Sequence, residues 1–330
     1  MNKRLLAGFV LSLCAAAAQA QSFSFGLWGD MPYKKAADEA KMPALLRSIN
    51  GSDIAFSIYD GDIKDGSSAC SDSVYTEALA LFGQIKQPVV YVPGDNEWTD
   101  CHRKNNGGYD PLERLDHLRK VMIPSTSSLG QRQMALTRQG KLGEKHVENT
   151  RFRHRDIEFL TFNIPGSNNN RVLDEKECSH KSVRTASQCE AANAEHVERD
   201  AANIAWLREG FAQASEKKAR GIVVVMQADP GFDLPETEEL DESLARGVSG
   251  YRRFIDALVA ETERFAGQVL LVHGDTHFFK VDKPLYSPTK LLPNLTRLQT
   301  FGSPSIHWVR VVVEPKTQHV FDIQPVIVQQ

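Results

Sequence analysis

The sequence lacks several features that would place it in a common functional class. It has no long basic tract, and its 39 Lys and Arg against 42 Asp and Glu give a formal net charge of −3. Nucleic acids and anionic membranes attract proteins through clustered Lys and Arg, so neither is expected as the main partner. No internal repeat and no linker-like change of composition divides the chain. We therefore expect a small ligand, and the oligomeric state stays open.

Long apolar runs are also absent beyond the N-terminus. Residues 1–20 begin with basic side chains, continue with a short apolar stretch and end at the small-residue triplet Ala18-Gln19-Ala20. This is the three-part pattern of a secretory signal peptide, and the apolar stretch is too short to cross a bilayer. The sequence predicts cleavage near Ala20 and a periplasmic or secreted protein with no membrane span. Residues 21–330 would form a single domain.

Cysteines are few, five in all, and none has Cys-x-x-Cys spacing. Cys14 would leave with the signal peptide, and the other four would enter an oxidising compartment where thiols tend to pair. Three pairings are possible. We expect Cys178 with Cys189, which closes a short loop, and Cys70 with Cys101, which would tie two Gly-Asp loops together. Free or metal-binding thiols are the alternative.

Short apolar and β-branched runs alternate with amphipathic stretches along the chain, which is typical of an α/β fold. The runs are mainly apolar, as strands buried on both faces must be. The predicted strands are residues 23–28, 54–59, 89–92, 158–163, 222–226 and 269–273. Helical spacing of apolar residues predicts helices at 71–86, 193–211 and 251–265.

The C-terminal part of the chain has a different pattern. Segments 306–313 and 319–327 have no helix between them and read as antiparallel strands. We therefore predict two mixed β-sheets packed face to face and flanked by helices. Polar insertions occupy residues 125–155 and 166–188. Most such insertions are solvated surface, and a lid or substrate-contacting role is the alternative.

Four of the predicted strand ends share a Gly-Asp pair. Asp30, Asp62 and Asp95 follow the first three strands, and Asp275 follows the last. Glycine after a buried strand allows a sharp turn, and the Asp then points into the crevice where open α/β sheets bind ligands. A single Gly-Asp is usually only a turn. Four converging carboxylates would repel one another unless cations neutralise them, so the sequence predicts a site for divalent metal.

In order and spacing, these motifs resemble those of the calcineurin-like metallophosphoesterase family, in a divergent, Asp-rich form. The sequence GDIKD at 61–65 matches the second motif of the family, GDNE at 94–97 matches the third in outline, and GDTH at 274–277 matches the fifth. The resemblance implies a four-layer sandwich. It also implies hydrolysis of a phosphomonoester or phosphodiester by metal-activated water.

The resemblance further implies a set of metal ligands. They are Asp30, Asp62 and His277 for one divalent ion and, with Asp62 bridging, Asp95, Gln227 and Asp275 for a second. Histidines of the family are largely replaced here by oxygen donors. Oxygen donors favour hard ions, so we expect Mg²⁺, Mn²⁺ or Ca²⁺ rather than Zn²⁺, with iron left open.

Four Asp would cancel the charge of two divalent ions and weaken their attraction for an anionic substrate, so basic side chains should compensate. Lys64 in the second loop, and Arg103 or Lys104 after the third, are placed to bind phosphate. Asn96 replaces the family histidine that assists the leaving group, and His102 is the candidate general acid in its place. Ordinary surface roles are the alternative for these cations and for His102.

A metal-dependent phosphoester hydrolase acting on a small phosphorylated substrate is the leading hypothesis. No Gly-x-Ser-x-Gly motif supports a serine nucleophile. Two alternatives remain open: a relative of the same fold that binds metal or phosphate without catalysis, and a secreted structural protein stabilised by calcium. The sequence does not identify the substrate.

Overall fold

The computed structural model describes residues 22–232, 246–287 and 290–329. The predicted signal peptide at 1–20 lies outside these residues. None of the helices in these ranges has the length and apolar character that crossing a membrane requires.

Fourteen strands occur in the described residues. In chain order they are β1 (Phe23–Trp28), β2 (Ser57–Tyr59), β3 (Val89–Tyr91), β4 (Thr137–Arg138), β5 (Thr150–His154), β6 (Ile157–Thr161), β7 (Gly221–Val225), β8 (Gln268–His273), β9 (Lys280–Asp282), β10 (Leu285–Ser287), β11 (Lys290–Leu291), β12 (Leu295–Gln299), β13 (Trp308–Glu314) and β14 (Val320–Val326).

Seven helical segments connect them. They are α1 (Ala36–Asn50), α2 (Asp72–Phe82), α3 (Pro111–Met122), α4 (Gly166–Asn169), α5 (Glu175–Ser179), α6 (Ala186–Glu216) and α7 (Arg252–Arg264). Short 3-10 helices lie at Thr99–His102, Lys104–Asn106 and Arg246–Val248.

The strands form two mixed sheets. The first has the order β14-β13-β1-β2-β3, with β1, β2 and β3 parallel and β13 antiparallel to β1. The second has the order β4-β5-β6-β7-β8-β12-β9, with β6, β7, β8 and β12 parallel. Strands β10 and β11 form a separate pair.

The two sheets pack face to face through an aromatic layer. Phe25 and Phe56, on the side of the first sheet, contact Phe159 of the second sheet. The ring centroids lie 5.2 Å apart for Phe25 and 5.1 Å apart for Phe56, and the ring planes are nearly perpendicular. Such edge-to-face pairs stabilise the contact beyond the area that they bury. Helices α1, α2 and α3 cover the outer face of the first sheet, and α6 and α7 cover that of the second. The predicted fold class, two mixed sheets flanked by helices, is confirmed.

The predicted strands are present to within a few residues, but the C-terminal pair is placed differently. Strands β13 and β14 extend the first sheet beside β1 and do not form the second. The second sheet is built from the middle of the chain, and its antiparallel edge, β4 and β5, comes from the polar insertion at 125–155. The antiparallel pairing of the last two strands is confirmed. The expectation that these strands form a second sheet was wrong, because they extend the first sheet.

Both predicted disulfides are present. Cys70 and Cys101 have Cα atoms 5.7 Å apart, and Cys178 and Cys189 have Cα atoms 6.0 Å apart. The first joins the start of α2 to the loop after Asp95. The second ties α5 to the first turn of α6. Each therefore fixes a connection beside the carboxyl ends of the strands.

Candidate metal centre

The Gly-Asp loops meet at the carboxyl ends of β1, β2, β3 and β8, where the two sheets converge. Asp30, Asp62 and Asp275 adopt left-handed backbone conformations, with φ of 51°, 62° and 74°. Asp tolerates this region better than most residues, and such conformations concentrate at functional sites, where the surrounding structure holds them. The local backbone therefore aims each carboxylate inward.

The glycines allow the loops to approach one another. An added Cβ at Gly94 would lie under 3.0 Å from the carboxylate of Asp62 and from its backbone nitrogen. An added Cβ at Gly274 would likewise lie under 3.0 Å from a carboxylate oxygen of Asp30. The glycine of one motif thus leaves space for the aspartate of the neighbouring motif, which explains why the pair recurs.

Three of the predicted carboxylates form a tight cluster. Oxygen atoms of Asp62, Asp95 and Asp275 all lie within 4.8 Å of one another. Burial raises the pKa of Asp62 and of Asp275 well above the usual range, and the charges of Asp95 and Asp30 raise both further. Ionised together, these groups would destabilise the folded protein.

Gln227 reaches the same cluster from the end of β7. Its Nε2 lies 3.3 Å from oxygens of Asp62 and Asp95 and 3.2 Å from Asp275 Oδ1. Its Oε1 accepts a 2.5 Å hydrogen bond from the Gly166 backbone N–H. The amide therefore presents its nitrogen to the carboxylates, and direct coordination by the oxygen would require the amide to turn over.

A second group surrounds the hydroxyl of Tyr33. The Tyr33 oxygen lies 3.3 Å from Asp30 Oδ1, 3.3 Å from Asp62 Oδ2 and 3.0 Å from His277 Nε2. Burial, then the charges of Asp62 and Asp30, raises the pKa of Tyr33, which favours the neutral hydroxyl. Sequence reasoning missed Tyr33, which occupies the point where the three predicted ligands of one ion converge.

His277 is oriented by its second ring nitrogen. Nδ1 lies 2.7 Å from the Ser303 carbonyl and Nε2 lies 3.3 Å from Asp30 Oδ1. Burial lowers the pKa of His277, but its hydrogen bond to Asp30 and the Asp30 charge outweigh that effect and raise it overall. A carbonyl on Nδ1 is the usual second partner of a metal-binding histidine, because it leaves Nε2 free to coordinate.

These donors fit a divalent cation. The cluster of Asp62, Asp95 and Asp275 supplies anionic oxygens, which hard cations prefer. Within the described residues, the ion pairs at this site join Arg103 to Asp100 and His277 to Asp30, and no described lysine or arginine forms an ion pair with the three Asp of the cluster. The set around Tyr33 fits a second cation only if the hydroxyl oxygen becomes a ligand or moves away.

Glu97 holds the second and third loops together. Its Oε1 accepts hydrogen bonds from Gly94 N at 2.7 Å, Tyr91 Oη at 2.9 Å and Asp62 N at 3.3 Å. The side chain is fully buried, and burial raises its pKa despite these donors. One carboxylate therefore fixes the backbone that carries Asp62.

Asn96 and Lys64 lie in the same assembly. Asn96 donates to both oxygens of Asp62, from its backbone N–H at 3.0 Å and from Nδ2 at 2.6 Å. Lys64 is fully buried, and its Nζ donates to the carbonyls of Asp65 at 2.6 Å and of Asn96 at 2.9 Å. Asn96 thus orients the central carboxylate, whereas the Lys64 ammonium is bound to the backbone of the loops.

Arg103 lies at the mouth of the cluster. Its Nη1 lies 2.6 Å from Asp100 Oδ2, and its Nη2 donates to Ser167 Oγ at 3.2 Å. Ser167 Oγ in turn lies 2.9 Å from Asp95 Oδ2 and 2.7 Å from Asp100 Oδ1. Burial, then Asp95, raises the pKa of Asp100 to about 8, although Arg103 opposes the rise. Sequence reasoning also missed Asp100 and Ser167.

His102 lies nearby, and its lowered pKa makes the imidazole neutral at neutral pH. Burial, then the charges of Arg184 and Arg103, lowers its pKa to about 3. Its Nδ1 has no hydrogen-bond partner in the described part of the chain. A neutral imidazole in this position could accept a proton but would have none to donate to a leaving group at pH 7.

Ser167 belongs to a run of left-handed backbone. Residues Ser167 to Asn170 have φ between 51° and 64°. Buried Arg199 holds this turn, because its guanidinium donates to the carbonyl of Asn169 at 3.1 Å and to that of Asn163 at 2.9 Å. Asn adopts left-handed backbone more readily than most residues, so the Asn run is the sequence signal that could have located it.

A cavity of about 820 Å³ adjoins the cluster. Asp275, Asp100 and Arg103 line it together with His102 and Ser167. Because Asp275 belongs both to the cluster and to the wall, a small molecule in the cavity can reach the carboxylates. The arrangement could bind a cation at the cluster and an anionic ligand beside it.

Comparisons with known proteins give structural likeness only. No protein-family model matches the sequence, and no curated protein is significantly similar to it. Among solved structures, GAP50, the anchor in the inner membrane complex of Plasmodium, is 13% identical, with a TM-score of 0.41, over 94% of this chain and 90% of that chain.

Two further solved structures are longer than this chain. Purple acid phosphatase PPD1 from yellow lupin (Lupinus luteus) seeds is 10% identical, with a TM-score of 0.47, over 94% of this chain and 54% of that chain. The sulfate thiohydrolase SoxB of Thermus thermophilus is 12% identical, with a TM-score of 0.42, over 87% of this chain and 42% of that chain. This chain spans about half the length of these two.

Proposed function

We propose that the mature chain is an exported, metal-dependent phosphoester hydrolase that acts on a small phosphomonoester or phosphodiester. The observation that carries the proposal is the buried cluster of Asp62, Asp95 and Asp275, which opens on a cavity and which forms no ion pair with any lysine or arginine among the described residues. Because burial and mutual repulsion oppose ionisation of these carboxylates, a bound cation is the simplest reason for their presence. The two disulfides suit an oxidising compartment outside the cytoplasm.

Each group of residues has a part in this proposal. A divalent ion bound at the carboxylates would polarise a phosphoryl oxygen and increase the acidity of a water molecule. Asn96 would hold Asp62 in the orientation that binds the ion. Arg103 would contact a phosphoryl oxygen, because its guanidinium lies at the cavity wall and offers several donors in one plane.

The ligand set favours particular ions. The cluster offers oxygen donors, and the imidazole of His277 belongs to the group around Tyr33. We therefore propose Mg²⁺, Mn²⁺ or Ca²⁺ at the three Asp and, where Tyr33 permits, a second ion between Asp30, Asp62 and His277.

The direct test is metal-dependent turnover. Purified mature protein is treated with a chelator, dialysed, and then assayed with Mg²⁺, Mn²⁺, Ca²⁺ or Zn²⁺ on chromogenic phosphate mono- and diesters. We expect no hydrolysis without metal and a clear gain with at least one of the first three ions, together with a rise in melting temperature on metal binding. A rise in melting temperature without hydrolysis under any condition would favour a non-catalytic metal-binding protein instead.

Tyr33→Phe tests the contribution of the hydroxyl at the centre. The substitution keeps the ring that packs beside His277 but removes the oxygen 3.0 Å from its Nε2. We expect kcat/KM with the best metal to fall by about 10-fold, roughly the loss of one hydrogen bond to a charged group. The melting temperature with metal should stay within about 2 °C of the wild-type value, because Phe keeps the buried aromatic ring and its packing.

The control for this variant is Tyr109→Phe, which removes a hydroxyl outside the metal centre, where the ring of Tyr109 packs against Arg114. Its activity should match that of the wild type. Equal activity of Tyr33→Phe and wild type would exclude the Tyr33 oxygen from the site's chemistry.

A further inference from the structure

The cavity wall beside the metal centre carries three cationic side chains that the proposed chemistry at the metal does not use. Arg171, Lys181 and Arg184 line the cavity, and we call these three residues the cationic wall. Among the described residues, none of them forms an ion pair. All three come from the insertion at 166–188, which the Cys178–Cys189 disulfide closes.

The acidic residues of the same lining are occupied elsewhere. Asp275 belongs to the metal cluster, and the carboxylate of Asp229 accepts a hydrogen bond from the Gly231 N–H at 3.2 Å. Asp100 is paired with Arg103. The carboxylate of Glu177 accepts a hydrogen bond from the Leu173 N–H at 2.9 Å. Its negative charge attracts Arg184, which lies in the same insertion.

Backbone contacts fix the cationic wall against the loop that follows Asp95. The Lys104 N–H donates to the carbonyl of Lys181 at 2.9 Å, and the Val183 N–H donates to the carbonyl of His102 at 3.1 Å. The two segments therefore run together beside the centre. Arg184 directly follows this junction, so its position relative to Arg103 is set by the backbone and not only by its own flexible side chain.

Arg184 is held in an unfavourable environment. Its Nε is buried without a hydrogen-bond partner in the described part of the chain. Burial lowers its pKa and the neighbouring Arg103 lowers it further, against the attraction of Glu177 and Asp100. Arg103 and Arg184 both line the cavity and their charges repel, so an anion bound in the cavity beside them would stabilise both and give the unpaired N–H of Arg184 an acceptor.

We infer that the substrate carries a second phosphate group besides the one that is hydrolysed, and that the cationic wall binds this second group. The inference rests on the proposed function, because the first phosphate is taken to lie at the metal centre beside Arg103. Arg103 donates to Ser167 Oγ, which donates to Asp95, so two successive hydrogen bonds connect Arg103 on the cavity wall to the metal cluster. The substrate class is a small bisphosphate or a diphosphate ester.

The test compares two substrates that differ only in the second phosphate: butanediol bisphosphate and hydroxybutyl phosphate, each assayed with the activating metal. We expect wild-type kcat/KM to be higher for the bisphosphate. Arg184→Gln should reduce that preference by about 10- to 100-fold, the range for charge-assisted hydrogen bonds to phosphate. Lys181→Gln, at an exposed position where folding is not at risk, should reduce it by about 3- to 10-fold.

The matched control is Lys176→Gln, which removes an exposed cation of the same insertion that does not line the cavity. Its preference should equal that of the wild type. A wild-type enzyme without preference for the bisphosphate would overturn the inference while leaving the hydrolase function intact. A preference that both Arg184→Gln and Lys181→Gln leave unchanged would overturn it as well.

A binding measurement separates this inference from the proposed function. Calorimetry with Mn²⁺-loaded protein uses butane bisphosphonate and butylphosphonate, neither of which can be hydrolysed. Tighter binding of the bisphosphonate, lost in Arg184→Gln, supports the cationic wall even if no substrate is turned over. Equal binding of the two probes contradicts it even if phosphoesters are hydrolysed.

Discussion

Asp62→Asn is expected to abolish metal-dependent hydrolysis, with a loss of at least about 1,000-fold in kcat/KM, because the carboxylate that we propose as a shared metal ligand is replaced by a neutral amide. Asp62 is the carboxylate that both groups of residues contact. Tyr33 Oη lies 3.3 Å from its Oδ2, and Gln227 Nε2 lies 3.3 Å from the same oxygen. The variant should also lose the rise in melting temperature that metal produces.

The same substitution should have the opposite effect on the metal-free protein. Burial and neighbouring carboxylates raise the pKa of Asp62, so its ionised form destabilises the folded state at neutral pH. A neutral Asn removes this repulsion, and the free energy of unfolding without metal should rise by about 1 kcal/mol or more. Urea unfolding in the presence of a chelator measures this free energy of unfolding. If Asp62→Asn acted only by damaging the structure, both activity and metal-free stability would fall. Loss of a metal ligand instead predicts lower activity together with higher metal-free stability.

The control is Asp53→Asn, which makes the same chemical change at an exposed position before β2, at the opposite end of the strand that leads to Asp62. Activity, metal response and stability should all match the wild type. Retention of more than about a tenth of kcat/KM by Asp62→Asn would be incompatible with a central ligand role.

Glu97→Leu is expected to lower the free energy of unfolding of the metal-free protein by about 4 to 6 kcal/mol, since three buried donors lose their acceptor at about 1 to 3 kcal/mol each. The donors are Gly94 N, Asp62 N and Tyr91 Oη. Leu has a similar size, so the effect would report lost hydrogen bonds more than a cavity. Urea unfolding under chelating conditions gives the value without a contribution from bound metal.

Glu97→Gln is the matched control, because it keeps an acceptor oxygen for the three donors and removes only the charge. Burial raises the pKa of Glu97, so a neutral side chain is tolerated there, and we expect a change within about 1 kcal/mol. If Glu97→Leu proved as stable as Glu97→Gln, the hydrogen bonds to Glu97 would not be what holds the two loops.

The sequence predicted eight of the fourteen described strands, and six of these eight, β1, β2, β3, β6, β7 and β8, are almost entirely buried. A run such as that of β7 has to be apolar throughout, and such runs stand out from the amphipathic stretches around them. The charged strand β5, at Thr150–His154, was hidden in a polar insertion because its Arg and His side chains mask the pattern. Pairing with β6 and packing against the first sheet determine its conformation, and a single sequence does not reveal either.

Two of the longer helices, α1 and α3, were not predicted, for different reasons. Helix α1 has Pro43 inside it and few buried apolar residues, so its periodicity is weak. Helix α3 has a clear start signal that was not used: Asp110 caps it by accepting from the N–H groups of Leu112 and Glu113, and Pro111 follows at the first helical position.

The carboxylates of the centre could be predicted because their motif has a local physical cause, a glycine turn followed by an inward Asp. Their neighbours could not be predicted in this way. Tyr33 and Asp100 meet the cluster only through the fold of the loops around them, and no spacing rule identifies them. The pairing of the cysteines was confirmed because short loop closure and proximity of two Gly-Asp loops both restricted the choices.

The central claim is that the carboxylates of Asp62, Asp95 and Asp275 hold a divalent metal ion. A crystal structure of the protein soaked in Mn²⁺, with anomalous scattering recorded, tests it most directly. We predict a strong anomalous peak with oxygens of all three Asp within about 2.0 to 2.5 Å, the range for hard divalent cations. Density at the cluster that remains free of any ion at saturating Mn²⁺, with the three carboxylates protonated or spread apart, would contradict the claim.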